Sequence, residues 1–195
     1  SISSNPKRET VAYVFDRMLK LNSVPMTFVY SHKEKGIGSS QFFISDSYRA
    51  RDIKGYSGIK PRKFTEPTGR IKKDSHMILF DWLTDNKDRN ADNYMVLDTG
   101  KVVFIDHSLS FMEISCPLRI SEKHLKKMMP NKKVFAEMKK ISMNPSKVYS
   151  TLGSYLSKIQ IRILIKKIKL FVKSVEKREK NGEKIIPFAK GEVLY

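Results

Sequence analysis

The segment "DRNADNYMVLDTGKVVFID", Asp88 to Asp106, spaces three oxygen-bearing side chains in a way that suits one kind of chemistry. Asp88 and Asn93 lie five residues apart on a polar stretch, and Asp106 follows two short apolar runs that read as strands. Moving a phosphoryl group needs a carboxylate to orient the attacking hydroxyl. It also needs hard oxygen ligands to hold magnesium on the phosphates. A loop, a hairpin out and back, and a carboxylate at its end would bring all three oxygens to one spot. The wider stretch from Asp85 to Phe111 gathers five aspartates and three asparagines in a chain of net charge +18.

Other chemistries fit this stretch less well. Asp and Asn favour turns because their side chains bond nearby backbone groups, so a purely structural loop is the simplest alternative. A calcium loop starting at Asp88 would use Asn90 and Asp92, but it needs a glycine near Asn93 and a glutamate where Thr99 stands. Neither is present, so calcium binding drops out. Asp88 and Asp106 could form the carboxylate pair of a glycoside hydrolase, yet nothing else in the sequence supports a sugar cleft. Asp92 by itself reads as a carboxylate bonding loop amides rather than a metal ligand.

The elements that must position these residues are legible from periodicity. Val11, Val14, Phe15, Met18 and Leu19 recur at helical spacing, so Lys7 to Leu21 reads as an amphipathic helix, capped and opened by Asn5-Pro6. "SVPMTFVY" (Ser23–Tyr30) and "SSQFFIS" (Ser39–Ser45) read as strands joined through the polar "SHKEKGIG". Tyr48 to Asp74, rich in Gly, Pro and Lys, reads as a long connection. Ser75 to Thr84 is apolar enough for a buried helix. After the acidic loop, "NYMVLD", a turn at Asp98-Thr99-Gly100 and "KVVFID" make a hairpin.

The last third reads as helical and basic. Ile161, Ile165, Ile168, Val172 and Val175 form one apolar stripe, and Leu156, Ile159, Ile163 and Leu170 a second, so this helix is expected to pack between other elements. Lys158, Arg162, Lys166, Lys169 and Lys173 step between the stripes. A solvated face explains them most simply; a face for an anion is the alternative.

The totals set the frame. A chain of 195 residues with 40% hydrophobic content can bury a core, and suits one domain or one large lobe with part of a second. A net charge of +18 implies an anionic partner: nucleotide, phospholipid, acidic protein or nucleic acid. The single cysteine, Cys116, leaves no internal disulfide and suits a reducing compartment, so an intracellular, cytoplasmic location is expected, open to a peripheral place on a membrane. No apolar run approaches the roughly 18 residues of a membrane span.

"DRNADNYM" followed by "FIDHSLSF" resembles the catalytic loop and metal-binding motif of the phosphatidylinositol 3- and 4-kinase superfamily, nearest its type II phosphatidylinositol 4-kinase-like group. "RETVAYVFDRMLKLNSVPMT", "GIGSSQFFIS" and "MILFDWLTDN" are similar to that group's first helix and strand, its lead into the hinge, and its helix before the catalytic loop. The resemblance implies an α/β (α+β) protein-kinase-like fold, with 1–46 as the end of the ATP-binding N-lobe and 47–195 as the helical C-lobe. It implies Asp88 as the catalytic aspartate, Arg89 beside it bracing the loop, and Asn93 and Asp106 as magnesium ligands. Glu9 would match the glutamate that pairs with the ATP-binding lysine, although the helix dipole explains a first-turn Glu equally well. Phe42, Phe43, Ile44 and Ser45 would border the adenine through backbone groups. At His107 a packing role is favoured over a hydrogen bond near Asp106.

The implied cofactors are ATP and Mg2+, and the implied acceptor is a hydroxyl of a phosphoinositide or of a protein. A degenerate kinase fold that binds an anionic membrane, acidic protein or nucleic acid is the alternative function. Nucleic acid is the least supported partner, because few aromatics interleave the basic residues. The family's glycine-rich loop and ATP-binding lysine would lie upstream of Glu9, so the chain reads as a fragment or a reduced relative, slow or inactive in transfer by itself. With half a lobe missing, Val11, Phe15 and Phe42-Phe43 are expected to show unburied apolar surface. The cysteine cluster that anchors some type II relatives to membranes is absent, and the basic segment Arg119 to Lys133, expected to face the substrate, has no tryptophan.

Overall fold

The computed structural model describes residues 5–50, 75–97, 99, 101–112, 125, 128 and 130–183. Helix α1 spans Pro6–Leu19; the Asn5 side chain accepts from the Lys7 N–H at 3.0 Å, and Pro6 sits in the first turn, where its missing donor costs nothing. The helix stops at Lys20, in the left-handed region at φ 57°. The next residues cap α1 instead of starting a strand. Ser23 donates its N–H to Asp16, and Arg17 reaches the Val24 carbonyl at 2.9 Å. Strand β1 therefore begins later than its sequence suggests, at Thr27–His32, beyond Pro25.

Strand β2 is Gly36–Gln41, antiparallel to β1 with His32 opposite Gly36. Three residues close this hairpin, and Gly36 at φ 75° supplies the left-handed position that such a loop needs. So "GIG" belongs to the strand and Phe42–Ser45 lie outside it, a shift from the expected boundaries. A short strand missed in the sequence, β3 (Ser47–Arg49), opens the expected connection; residues 51–74 lie outside the described part. Helix α2 is Ser75–Thr84, and β4 (Tyr94–Leu97) and β5 (Val102–Phe104) form the expected hairpin, with Asp98 and Gly100 outside the described residues. The strands make two sheets, β1-β2 and β3-β4-β5. Cys116 and most of Arg119–Lys133 are also outside.

Three more helices, α3 (Lys132–Met143), α4 (Ser146–Leu152) and α5 (Lys158–Lys180), complete a mixed α/β fold. Ser157 and Gln160 cap α5 reciprocally. Its first apolar stripe is buried, but of the second only Leu156 is: Ile159 is 58% exposed and Ile163 and Leu170 are only half-buried. The helix lies on the core with one face and shows the other to solvent. One continuous core joins α1, α2, the β4-β5 hairpin and α3 to α5. Its aromatic centre is Phe80, stacked on Phe15 at 5.8 Å and tilted against Phe104 at 5.9 Å. Val11 and Phe15 are completely buried, against expectation, because the C-terminal helices and Phe80 cover them. Phe42 and Phe43 remain 61% and 89% exposed. Among the described residues no helix is long and apolar enough to cross a membrane.

Asp16 is completely buried on α1, and burial pushes its pKa from 3.8 up to about 6, against the lowering pull of the Ser23 N–H and Arg17. Below both values the folded and unfolded chains are equally protonated. As pH rises from about 4 to about 6, the unfolded chain releases a proton that the fold retains, so stability falls across that window and is constant above it. Asp16→Asn removes this titration. The stability of the variant relative to the parent should therefore climb through the window and then level off, as read by urea denaturation. A difference that stays flat would show that Asp16 ionises freely in the fold.

Candidate active site

The acidic loop is built around one guanidinium. Arg89, only 10% exposed, meets the Asp81 carboxylate of α2 with Nε at 3.0 Å and Nη2 at 2.9 Å. Its Nη1 donates to the Asn93 carbonyl and, at 2.8 Å, to that of Ile105. Its Nη2 also lies 3.1 Å from His107 Nε2. Bidentate pairing to a carboxylate plus two carbonyls uses the fork geometry that only arginine offers. Arg89 thus ties together the end of α2, the start of β4 and the end of β5.

Asp88 and Asn93 are held to each other. The Asn93 side-chain amide donates both to the Asp88 carbonyl, at 2.5 Å, and to Asp88 Oδ2, at 3.1 Å. With its nitrogen so used, the buried Asn93 has only its side-chain oxygen left to offer a further partner. Asn86 accepts from the Asp88 N–H, and Asn90 donates its side-chain amide to Asp88 Oδ1 at 3.2 Å. All three asparagines that the sequence concentrates here therefore brace Asp88. Asp92 gives its N–H to Asn90 Oδ1 at 2.8 Å, a turn contact.

Asp106 reaches the same end of the hairpin. Tyr94 pairs with Phe104, and the Ile105 N–H donates to the Asn93 carbonyl at 3.1 Å, so Asp106 follows one residue past the point where the strands meet Asn93. Asp106 adopts φ 54° and is exposed, and Ser108 Oγ donates to its Oδ1 at 2.9 Å. Asp tolerates this left-handed conformation better than most residues. At the far end of the segment the bulky Phe111 also has φ 55°, held there by an N–H bond to the Thr84 carbonyl and by Gln160 on its own carbonyl. Strain of this kind persists only where the surroundings impose it.

Glu9 joins the site through the loop after Asp106. Its Oε1 accepts the His107 N–H at 2.7 Å, and its neighbour Arg8 donates to the Ser108 carbonyl at 3.2 Å. Because Arg89 can only donate, His107 Nε2 accepts, and the ring proton sits on Nδ1, facing Glu9 Oε2 at 3.7 Å. Burial pushes the His107 pKa down, with Arg89 acting in the same direction against Glu9, so the ring is neutral. Burial opposes ionisation of Glu9, but the His107 ring and N–H and the Ser108 N–H prevail and hold the carboxyl below its ordinary range. His107 both packs edge-on against Phe80 at 5.5 Å and bonds its neighbours.

Asp88, Arg89, Asn93, Asp106 and Glu9 are thus brought into one bonded network. Phe42, Phe43, Ile44 and Ser45 are not. They lie between the two sheets and lead into β3, whose Ser47 pairs with Leu97, about 10 Å along β4 from its Asn93 end. Asp81 escaped the sequence reading although it carried a signal: a lone carboxylate in the apolar run "MILFDWLT" must find a partner when that helix is packed. Arg8 and Asn86 carried none that spacing could reveal. Among the described residues no group of three His, Cys, Asp or Glu side chains converges as a metal site.

Removing Arg89 leaves Asp81 and two carbonyls without their shared donor. Arg89→Ala should lower unfolding stability by about 3–5 kcal/mol, the usual cost of breaking a buried pair from one side. Arg89→Lys should recover only part of this, since an ammonium cannot span the same acceptors. Urea denaturation measures both; a loss for Arg89→Ala below about 1 kcal/mol would place the pair with ordinary surface bridges.

The model of the phosphatidylinositol 3- and 4-kinase family matches residues 3–180. No curated protein matches the chain at a significant level. The family match covers both α1 and the whole bonded network from Asp81 to Ser108, and the chain belongs to the phosphatidylinositol 3- and 4-kinase family.

Proposed function

We propose that this chain belongs to the catalytic unit of an ATP- and Mg2+-dependent phosphotransferase acting on a hydroxyl of a phosphoinositide or of a protein. Family membership supports a kinase-like function, and one observation carries the finer reading: the Asn93 amide bonds Asp88 while the Asn93 carbonyl bonds the Ile105 N–H. That arrangement sets the three oxygen-bearing side chains at one end of a hairpin. The donors fit magnesium. Asn93 Oδ1 and the second Asp106 oxygen are hard ligands, and a metal that keeps waters and phosphate oxygens needs few protein ligands. Bound there, the ion would neutralise charge on the transferring phosphate.

In this reading Asp88 orients the acceptor hydroxyl and takes its proton. Its carboxylate is steered by Asn90 and Asn93, and its N–H is pinned by Asn86, so little reorganisation remains for the chemical step. Arg89 acts as a positioning residue, fixing loop and hairpin to α2. Segments 1–46 and 47–195 serve as the remainder of the ATP-binding lobe and the catalytic lobe, with Phe42 to Ser45 bordering the adenine.

A second reading, a degenerate kinase fold that binds without transferring, is favoured by Glu9. Among the described residues its carboxylate is met by the backbone N–H and the neutral ring of His107, and no lysine pairs with it.

Two variants separate these roles. Asp88→Ala should leave nucleotide affinity nearly intact and lower transfer by about 10²–10⁴-fold, because orientation and proton removal act on the chemical step. Asp106→Asn should instead weaken the magnesium dependence of nucleotide binding. Fluorescent-nucleotide titration with and without the metal, and radiolabelled transfer to phosphatidylinositol and to a protein mixture, read both effects. Equal ATP affinity with and without magnesium would sink the metal assignment, and nucleotide binding without any transfer would favour the second reading.

A further inference from the structure

From Ser146 to Val175 the sequence holds seven Lys or Arg residues and no Asp or Glu. Lys167 is buried, its Nζ bonded to the Trp82 carbonyl and 4.0 Å from Asp85. The other six, Lys147, Lys158, Arg162, Lys166, Lys169 and Lys173, are exposed, and none forms an ion pair among the described residues. Five of them step by three or four along α5, a helix of 23 residues and so about 34 Å long. Like charges at such spacing repel, and nothing in the core asks for them.

The same face is apolar beneath its charges. Between α4 and α5 lies a groove of about 360 Å³, lined by Tyr149, Ile159, Ile163 and Ile165 and rimmed by Arg162, Lys166 and Lys169. Ile159 is 58% exposed, and Tyr149 and Tyr155 are each 37% exposed. Uncompensated cations over an open apolar floor match a partner that is anionic at its rim and apolar just below it.

We infer that the α4–α5 face docks on an anionic phospholipid surface. The charges run straight along most of the helix, which suits a flat partner. The long Lys and Arg side chains can lay their stems over the groove and keep their heads among lipid phosphates. Ile159 and Tyr149 then enter the level where apolar and tyrosine side chains settle at a membrane boundary. The inference stands on charge and surface alone and does not need the phosphotransfer reading.

The test is co-sedimentation of the full chain, without nucleotide, on vesicles of phosphatidylcholine alone or mixed with phosphatidylserine. Retention is expected on the mixed vesicles only, falling steeply as salt rises. Lys166→Glu with Lys169→Glu should lower the binding constant at least tenfold. Ile159→Ser should weaken the binding that survives at moderate salt while leaving the salt dependence alone. Both sites are exposed, so unchanged melting temperatures should accompany these losses. Equal retention on the two vesicle types, or no effect of the charge reversal, would overturn the inference. So would tighter binding to an acidic peptide or to RNA that vesicles fail to displace. Transfer to a soluble short-chain acceptor, measured in parallel, keeps failure of this inference separate from failure of the proposed reaction.

Discussion

A guanidinium taken out of water must be met on every side, and the way Arg89 is met fixes the geometry of the acidic loop. Its charge is answered by Asp81, which lies on α2 in the aromatic core beside Phe80. Its remaining donors fall on the carbonyls of Asn93 and Ile105, one at each end of the β4-β5 hairpin's open side. Neither carbonyl can drift without leaving a donor unpaired in a partly dry site, and that loss costs more than the bond itself contributes. Asp88 precedes Arg89, Asn93 is bonded by it, and Asp106 follows Ile105. All three candidate oxygens are thus within one residue of something Arg89 holds, or are held directly.

The same loop is bolted to α1. Arg8 and Glu9, adjacent in sequence, reach the carbonyl of Ser108 and the N–H of His107. His107 passes the contact on to Arg89, because its neutral ring accepts on Nε2 while Nδ1 faces Glu9. A shift of α1 would pull on the backbone next to Asp106 before it disturbed anything else in the site. The helix is not free to make that shift easily: Phe15 and Val11 are sealed in the core shared with the C-terminal helices. The opposite holds for the β1-β2 hairpin, where Phe28 meets Phe42 at 6.4 Å yet both stay largely exposed. Two strands alone bury too little to be rigid by themselves.

The sequence carried the parts whose signals are local. Helix α1 was legible from its period and from Asn5-Pro6, and the β4-β5 hairpin from two short apolar runs around a turn. The five-residue step from Asp88 to Asn93 was legible because both stand on one short polar stretch, where the Asn93 amide bonds Asp88. Signals that depend on distant partners were not. Strand β3 is three residues long and is a strand only because Tyr48 finds Val96. The start of β1 was misplaced because Ser23 and Val24 spend their backbone groups on Asp16 and Arg17. The second apolar stripe of α5 promised burial, but no element lies over Ile159 among the described residues. Glu9 was legible as a helix-start carboxylate, yet its engagement with His107, 98 residues away, is a tertiary fact.

The charge balance of the site bears on why a metal is called for in the proposed reaction. Although the chain carries +18 overall, the cation inside the acidic loop is not available to an incoming phosphate: Arg89 is consumed by Asp81 and the carbonyls. Lys87 lies 3.9 Å from Asp85 and is directed there. Asp88 and Asp106 have no ion-pair partner among the described residues, so neutral amides and a hydroxyl, not cations, meet the two carboxylates around the space at this end of the hairpin. A nucleoside triphosphate entering that space would meet carboxylates rather than cations at short range. The basic surface can raise the local concentration of such an anion but cannot neutralise it at the point of reaction, because screening in salt limits that pull to about 8–10 Å. In the proposed reaction a small cation held by Asn93 and Asp106 would turn that repulsion into attraction. Asn93 suits that place better than a third carboxylate would. It offers an oxygen without adding a negative charge, and its nitrogen is what holds Asp88 still.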